Sequence, residues 1–444
     1  MGYKIAIIGG GSLYTLPLLA TVCSPKEDYE VDELRMFDID SDRQRLRFDA
    51  GKILVNEISP NTKMIEAQTL KEAVKDVDYV LIQIRSGGLD MREADEKIPL
   101  HHGLVGQETV GAGGLMYGMR SVKDTIEIVK TIREYSEKAW IINFANPASI
   151  LAEATRRYFR NDPRLVYICD MTILMLDAFE SALGLPKGEL NPSYFGLNHF
   201  GWFTKICDSE GNDRMGEIKK LLVKGNVVPD ELKNDQDWVD TFNNLGKMIK
   251  DYGEYIPSTY MQYYYYPLDI VAHSNPEHTR ATTVKEKKQF SVEKMCRQII
   301  EQNSTENTGL FNAIHGQYIM DVIDATIHYD ENRRFLLCVT NDGVIPNVNK
   351  DATVEIPCII GRNGIEKSYV GEVGPFYQAL MENEYNSERL VVDAVLENNI
   401  TKALQGFTLN RMINDGDTAR TLLKEMLEKN KEYLPELYQQ SKSL

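Results

Sequence analysis

The sequence predicts an α/β protein: a doubly wound, Rossmann-type parallel sheet in its N-terminal half, followed by an α+β second half. Three observations carry that expectation. Short apolar runs at residues 4–8, 33–37, 79–84, 140–144 and 165–168 alternate with helical patterns near 43–58, 115–136 and 148–160. The first run passes directly into Gly9-Gly10-Gly11-Ser12 and then an apolar helical stretch over about 14–23. The other runs end in ligand-type residues, at the strand ends where open α/β sheets gather their ligands.

In order along the chain, the β-branched strand at 4–8, the glycine turn and the following helix present backbone N–H groups and a helix N-terminus to a pyrophosphate. The fingerprint is incomplete: Gly9 and Gly11 fill the first two positions, but Tyr14 stands at the third, and Pro17 is tolerated only in the first helical turn. The strand at 33–37 ends in Asp38, where a ribose-binding carboxylate is expected, so a dinucleotide would rest on Gly9, Gly10, Gly11 and Ser12 and near Asp38. A carboxylate there favours NAD over its 2′-phosphorylated relative, although Arg43 and Arg45 oppose that preference. A third extended segment is expected near 62–67; later strands end at Arg85, at Asn146-Pro147 and at Cys169-Asp170. Residues 89–120, polar and glycine-rich, read as one long functional loop rather than a short βα connection.

No Gly/Ser linker divides the halves. Pro186 and Pro192 break the pattern between 184 and 196, which separates a dinucleotide-binding domain (1–195) from an α+β catalytic and oligomerisation domain (196–444). Residues 208–251 read as solvated helices, and the tyrosines 263–266 as an aromatic packing layer. Strands are expected at 334–340 and 353–360, and helices near the end of the chain.

Composition is that of an ordinary globular protein, 43% apolar and 26% charged. The net charge of −16 argues against a nucleic-acid or anionic-membrane surface, so an anionic substrate needs a local basic or amide cluster. No run approaches the roughly eighteen apolar residues of a membrane span. Six scattered cysteines without a CxxC pair predict a cytoplasmic protein with reduced thiols, which leaves Cys169 available as a ligand. Beyond Cys169-Asp170, a second apolar patch delivers Asn198 and His199. A thiolate, a carboxyl and an imidazole that converge can bind a metal and move a proton. The plainer reading is a buried cysteine, a satisfied histidine and a helix-capping aspartate.

Longer motifs favour the chemical reading. IIGGGS, DEKIPLHHGLVGQETVGAGGLMYGMRS, NFANPASILAEATRR, ICDM, YFGLNHFGW and SNPEHTRA occur in this order along nearly the whole chain, which resembles glycoside hydrolase family four, the NAD- and manganese-dependent glycosidases. Asp170 directly after Cys169 resembles the branch that hydrolyses 6-phospho-α-glucosides such as maltose 6′-phosphate. The resemblance implies Cys169 and His199 as ligands of Mn2+ or another divalent transition metal, Asp170 as general acid, Tyr260 as general base, and Glu108 as the group that increases its basicity. It implies Arg92, Asn146 and Arg280 as substrate contacts, with Asn198 a further amide candidate for the phosphate, and a homodimer or homotetramer as the assembly. Two departures are Thr172, where relatives carry proline, and Leu13-Tyr14, where they tend to carry Thr-Phe.

The implied reaction replaces the usual pair of carboxylates with NAD-dependent oxidation at sugar C3, C2 deprotonation, elimination of the C1 substituent, water addition and return of the hydride. Three alternatives share the fold: the same mechanism on an unphosphorylated α-glycoside or uronide, a net lactate/malate-type dehydrogenase, and a nucleotide-sensing binding module.

Overall fold

A computed structural model describes residues 2–444 apart from 27–28, 161, 226, 230–231, 313–315, 330–332, 363 and 414, with the backbone alone at 312. The first half alternates as its apolar runs dictate: β1 (Gly2–Ile8), α1 (Thr15–Val22), β2 (Glu30–Phe37), α2 (Ser41–Ile58), β3 (Lys63–Glu66), α3 (Leu70–Val74), β4 (Tyr79–Ile82), α4 (Gly88–His101), α5 (Gly111–Tyr135), β5 (Trp140–Asn143), α6 (Ala148–Phe159), β6 (Leu165–Tyr167) and α7 (Met171–Leu183). Start signals are local. Asp40 and Thr69 accept hydrogen bonds from the backbone N–H groups of Arg43 and Glu72, capping α2 and α3.

The second half continues with β7 (Asn191–Leu197), β8 (Phe200–Cys207), α8 (Met215–Val223), α9 (Gln236–Tyr252), β9 (Ile256–Pro257), α10 (Met261–Tyr265), α11 (Pro267–Ala272) and α12 (Arg280–Thr283). A π-helical segment (Val284–Gln289) joins α12 to α13 (Phe290–Gln302). Then follow α14 (Gln317–His328), β10 (Phe335–Thr340), β11 (Thr353–Gly361), β12 (Gly364–Lys367), α15 (Pro375–Glu397), α16 (Ile400–Leu409), α17 (Gly416–Lys429) and α18 (Pro435–Ser441).

Among the described residues, nine strands form one sheet in the order β12-β11-β10-β6-β5-β4-β1-β2-β3, and β7-β8-β9 form a second. The six strands from β6 to β3 run parallel, with the order reversing between β1 and β4, the expected doubly wound arrangement. β10 pairs antiparallel with β6, so three strands from beyond residue 330 extend the same sheet. The reversal point sets the glycine turn after β1 beside the segment after β4. Cys169 follows β6, two strands away.

Two expectations need correction. Residues 89–120 are not one loop: α4 and α5 occupy most of the stretch, and only residues 102–110 connect them. Their polarity reflects buried ion pairs, not solvent. Asp95 and Glu96 point inward from α4 to meet Arg120 and Arg92. The glycines serve close packing: a β-carbon on Gly113 would lie 2.5 Å from the Asp95 carbonyl oxygen, and one on Gly118 2.6 Å from Ile150 Cδ1. Pro192 does not break the pattern either; it lies inside β7, an edge strand of the smaller sheet, where a missing N–H is tolerated.

Arg120 is the main buried cation between α4, α5 and the C-terminal helices. It donates to Asp95 at 2.5 and 3.2 Å, to Asn430 Oδ1 at 2.7 Å and to the Ser86 carbonyl at 2.8 Å. Arg120→Ala leaves Asp95 buried without its counter-charge, which costs about 3–5 kcal/mol. The expected result is a marked fall in the denaturant midpoint of the apoprotein, measured by tryptophan fluorescence.

Candidate active site

The β7–β8 hairpin pairs Leu197 with Phe200, so Asn198 and His199 form its two-residue turn. His199 holds φ +62°, in the left-handed region that side chains other than Asn, Asp and His rarely adopt. This turn brings the imidazole over the end of β6, where Cys169 Sγ lies 3.2 Å from His199 Nε2. The segment after β8's other neighbour supplies the third group. β9 pairs with Trp202 and Phe203, the Ser258 N–H donates to the Gly201 carbonyl at 2.7 Å, and the chain then turns into α10. Tyr260, just before α10, is thereby stacked on His199 with ring centroids 4.0 Å apart and planes 5° from parallel.

Burial governs the electrostatics. It lowers the His199 pKa to about 4, against a smaller opposing effect of Glu108, so the imidazole is neutral and able to act as a ligand. Burial, then Asp170 and Glu355, raises the Cys169 thiol, while the Met171 N–H and the Asn198 amide oppose the rise. Burial, followed by Tyr263, Cys169 and Glu108, pushes the Tyr260 phenol well above its ordinary value; a hydrogen bond with Thr109 works the other way.

Glu108 sits in the 102–110 connection, which Gln107 pins by accepting from the Thr109 and Val110 N–H groups at 2.5 and 3.2 Å. Its carboxylate meets Arg85 after β4 and Arg92 of α4, the latter at 3.0 Å. Burial alone would raise the Glu108 pKa, but Arg85 and Arg92 together hold it below the ordinary carboxylate range. The group is therefore a fixed anion close to the stacked pair.

The remaining candidates lie around this centre. Asp170 is exposed at the head of α7 and makes no capping hydrogen bond with its side chain. Asn146 lies after β5 and is joined to Pro147 by a cis bond, and its buried Oδ1 has no hydrogen-bond partner among the described residues. The Asn198 amide donates to Glu355 Oε1 at 3.1 Å. Arg280 stands further out, 46% exposed, with its guanidinium on Asp237 at 3.0 Å and Asp235 at 3.4 Å. Thr172 falls in the first turn of α7, where a proline is also tolerated, and its buried hydroxyl has no partner among the described residues.

This geometry suits both groups implied by the sequence. Metal–sulfur and metal–nitrogen bonds of about 2.3 and 2.1 Å at angles between about 90° and 109° place two donors on one cation roughly 3.1–3.6 Å apart. The 3.2 Å separation of Cys169 and His199 fits. Among the described residues no group of three or more His, Cys, Asp or Glu side chains is arranged to hold a metal, so this pair leaves coordination positions for substrate or water oxygens. The glycine turn fits a dinucleotide. Gly9 has φ +92°, and Gln83 Nε2 donates to its carbonyl at 3.1 Å. The Gly11 N–H donates to Asp38 Oδ2 at 2.9 Å, while Asp38 Oδ1 accepts from Arg43 and from the Asp40 N–H at 3.0 Å. Arg45 pairs with Glu66 at 2.6 Å, so the carboxylates Asp38 and Glu66 neutralise both nearby arginines.

Sequence reasoning missed Arg85 as a partner of Glu108, and Glu96, Thr109, Tyr263 and Glu355 as neighbours of the site. The signal for Glu355 was present: a single carboxylate in the otherwise apolar strand TVEIPCIIG. Buried completely and pushed up to about 7 by that burial, it stands behind Asn198 and Cys169.

Comparison with known proteins agrees with this architecture. The family model described as "Family 4 glycosyl hydrolase" matches residues 4–185, and its C-terminal domain matches residues 194–413. The chain is 44% identical to the phospho-alpha-glucosidase PagL of Clostridium acetobutylicum, over 98% of this chain and 99% of that protein. It is similar to the crystal structure of a 6-phospho-alpha-glucosidase from gut microorganisms in complex with NAD and Mn2+ (TM-score 0.95, 40% identity, 98% of this chain and 100% of the other). A second such structure, in complex with NAD and glucose 6-phosphate, matches with a TM-score of 0.93 at 37% identity over 98% of this chain and 100% of the other. The chain belongs to the family 4 glycosyl hydrolases.

Proposed function

We propose that the protein hydrolyses 6-phospho-α-glucosides such as maltose 6′-phosphate, with NAD and Mn2+ or another divalent transition metal. The observation that carries this reading is the placing of His199 in contact with both Cys169 and Tyr260 at the carboxyl end of the parallel sheet that also carries the glycine turn. The names of the relatives and the ligands of the two gut-microorganism structures support the same substrate and cofactors.

Gly9, Gly10, Gly11 and Ser12 hold the dinucleotide phosphates, with Asp38 beside the ribose, and Cys169 and His199 hold the cation. When bound, these groups supply a reversible hydride acceptor for sugar C3 and a Lewis acid for the neighbouring oxygens. The chain supplies the proton transfers. Tyr260 takes the proton from C2, and the fixed negative charge of Glu108 raises its proton affinity. Asp170, exposed at the head of α7, protonates the departing C1 oxygen. Arg92, Asn146, Asn198 and Arg280 orient the sugar and its phosphate. The protein is proposed to act in the cytoplasm as a homodimer or homotetramer, with residues 1–195 and 196–444 as its two domains.

The deciding experiment is hydrolysis of maltose 6′-phosphate with and without NAD+, Mn2+ and a thiol reductant. Glucose and glucose 6-phosphate are expected only with all three present, and without net NADH. Lasting NADH absorbance would instead indicate a dehydrogenase. Equal turnover of p-nitrophenyl α-glucoside and its 6-phosphate would remove the phosphate from the specificity.

A further inference from the structure

Glu96 lies on the inner face of α4 and is 2% exposed. Its two carboxylate oxygens go to different elements: Oε1 accepts from Arg92 Nε at 2.9 Å, and Oε2 from the backbone N–H of Ala281 at 2.7 Å. Arg92 and Ala281 are far apart in sequence, and Ala281 directly follows Arg280. One buried side chain therefore ties the two arginines proposed above as substrate contacts into a single frame.

The neighbouring residues reinforce the tie. One turn earlier on α4, Glu93 accepts from the Thr282 hydroxyl at 2.6 Å and from Lys285 Nζ at 2.8 Å, and Lys285 also reaches Asp90 at 2.7 Å. The closest approach of both Glu96 and Glu108 to Arg92 is through Nε. Among the described residues the side-chain hydrogen bond of Arg92 runs from Nε to Glu96, so its terminal nitrogens can take an anion in bidentate fashion. A guanidinium clamped along one edge loses little freedom when it binds, which is how pre-organisation increases affinity.

We propose that Glu96 is a positioning residue: by spanning Arg92 and the first turn of α12, it sets the geometry in which the sugar phosphate is gripped. This rests on the reading of the site as a phosphoglucosidase. The carboxylate touches neither substrate nor cofactor and acts only through the groups it holds.

The test is Glu96→Gln, which keeps the size but exchanges one acceptor oxygen for an NH2 that cannot accept from a guanidinium or an amide. The Michaelis constant for p-nitrophenyl α-glucoside 6-phosphate and the inhibition constant of inorganic phosphate are expected to rise together by about tenfold, the loss of one charge-assisted hydrogen bond, with kcat nearly unchanged. The affinity for NAD+, read by quenching of tryptophan fluorescence, stays at the wild-type value. Arg92→Lys supplies a second arm: because part of the effect of Glu96 runs through Arg92, the double variant loses less than the product of the two single losses. Unchanged phosphate inhibition, a loss confined to kcat, strictly additive effects, or a parallel loss of NAD+ affinity and thermal midpoint would each overturn the proposal. Failure of the underlying reading shows separately, as wild-type protein that neither cleaves the phosphoglucoside nor responds to inorganic phosphate.

Discussion

Cys169→Ser and His199→Ala are each expected to abolish Mn2+-dependent turnover while NAD+ binding persists. The loss should be about 10³-fold or more in kcat/KM, because a Lewis acid contributes several kcal/mol to a transition state that carries oxyanion charge. The two side chains are 3.2 Å apart and buried, and among the described residues no third His, Cys, Asp or Glu is arranged with them to take the place of either. A serine hydroxyl stays neutral and is a much weaker donor to a divalent cation than an anionic thiolate. The dinucleotide turn follows β1, with β4 and β5 between it and β6 in the sheet, so neither substitution reaches Gly9, Gly10, Gly11 or Ser12. The measurement is steady-state hydrolysis across a Mn2+ titration, paired with NAD+ binding on the same preparations. Near-full activity of Cys169→Ser with Mn2+ would refute the ligand assignment.

The second large effect belongs to Tyr260. Tyr260→Phe is expected to cut kcat by about 10²–10⁴, the usual contribution of a positioned general base. The stacking on His199 survives in phenylalanine, so the substitution removes the phenol oxygen and little else. Burial and its neighbours hold that phenol well above the ordinary range, which makes its phenolate a strong base but a scarce one at neutral pH. The phenolate needs a positive neighbour, which the Cys169–His199 pair is suited to hold. In the wild-type protein, deuterium at C2 of the substrate should slow hydrolysis or exchange with solvent. Full retention of that deuterium, with no rate effect, would exclude elimination and with it the role of Tyr260.

How much of this was legible in the sequence differs from element to element. The parallel strands showed because each is a short apolar run ending in a polar residue, a pattern set within a few positions. The glycine turn and Asp38 were legible for the same reason, and they meet in the structure through the Gly11 N–H. α4 was not legible. Its buried carboxylates and the glycines after it look like loop chemistry until Arg92 and Arg120 are placed opposite them. Arg85 and Glu96 were missed because nothing local distinguishes a buried, paired charge from a solvated one, whereas Glu355 was marked by the apolar run around it. Cys169 and His199 stood out through the family motifs that contain them, not through their spacing.

The sequence by itself determined the doubly wound sheet, the glycine turn, the ligand-type residues at the strand ends and the family. Periodicity and turn chemistry are short-range properties that each segment carries alone. Only the tertiary structure decided which side chains meet: His199 on Cys169 across 30 residues, Tyr260 on His199, Glu96 between Arg92 and Ala281, and β10 against β6. Those contacts depend on hairpin register, sheet order and helix packing, which bring distant segments together and are written in no single stretch of chain.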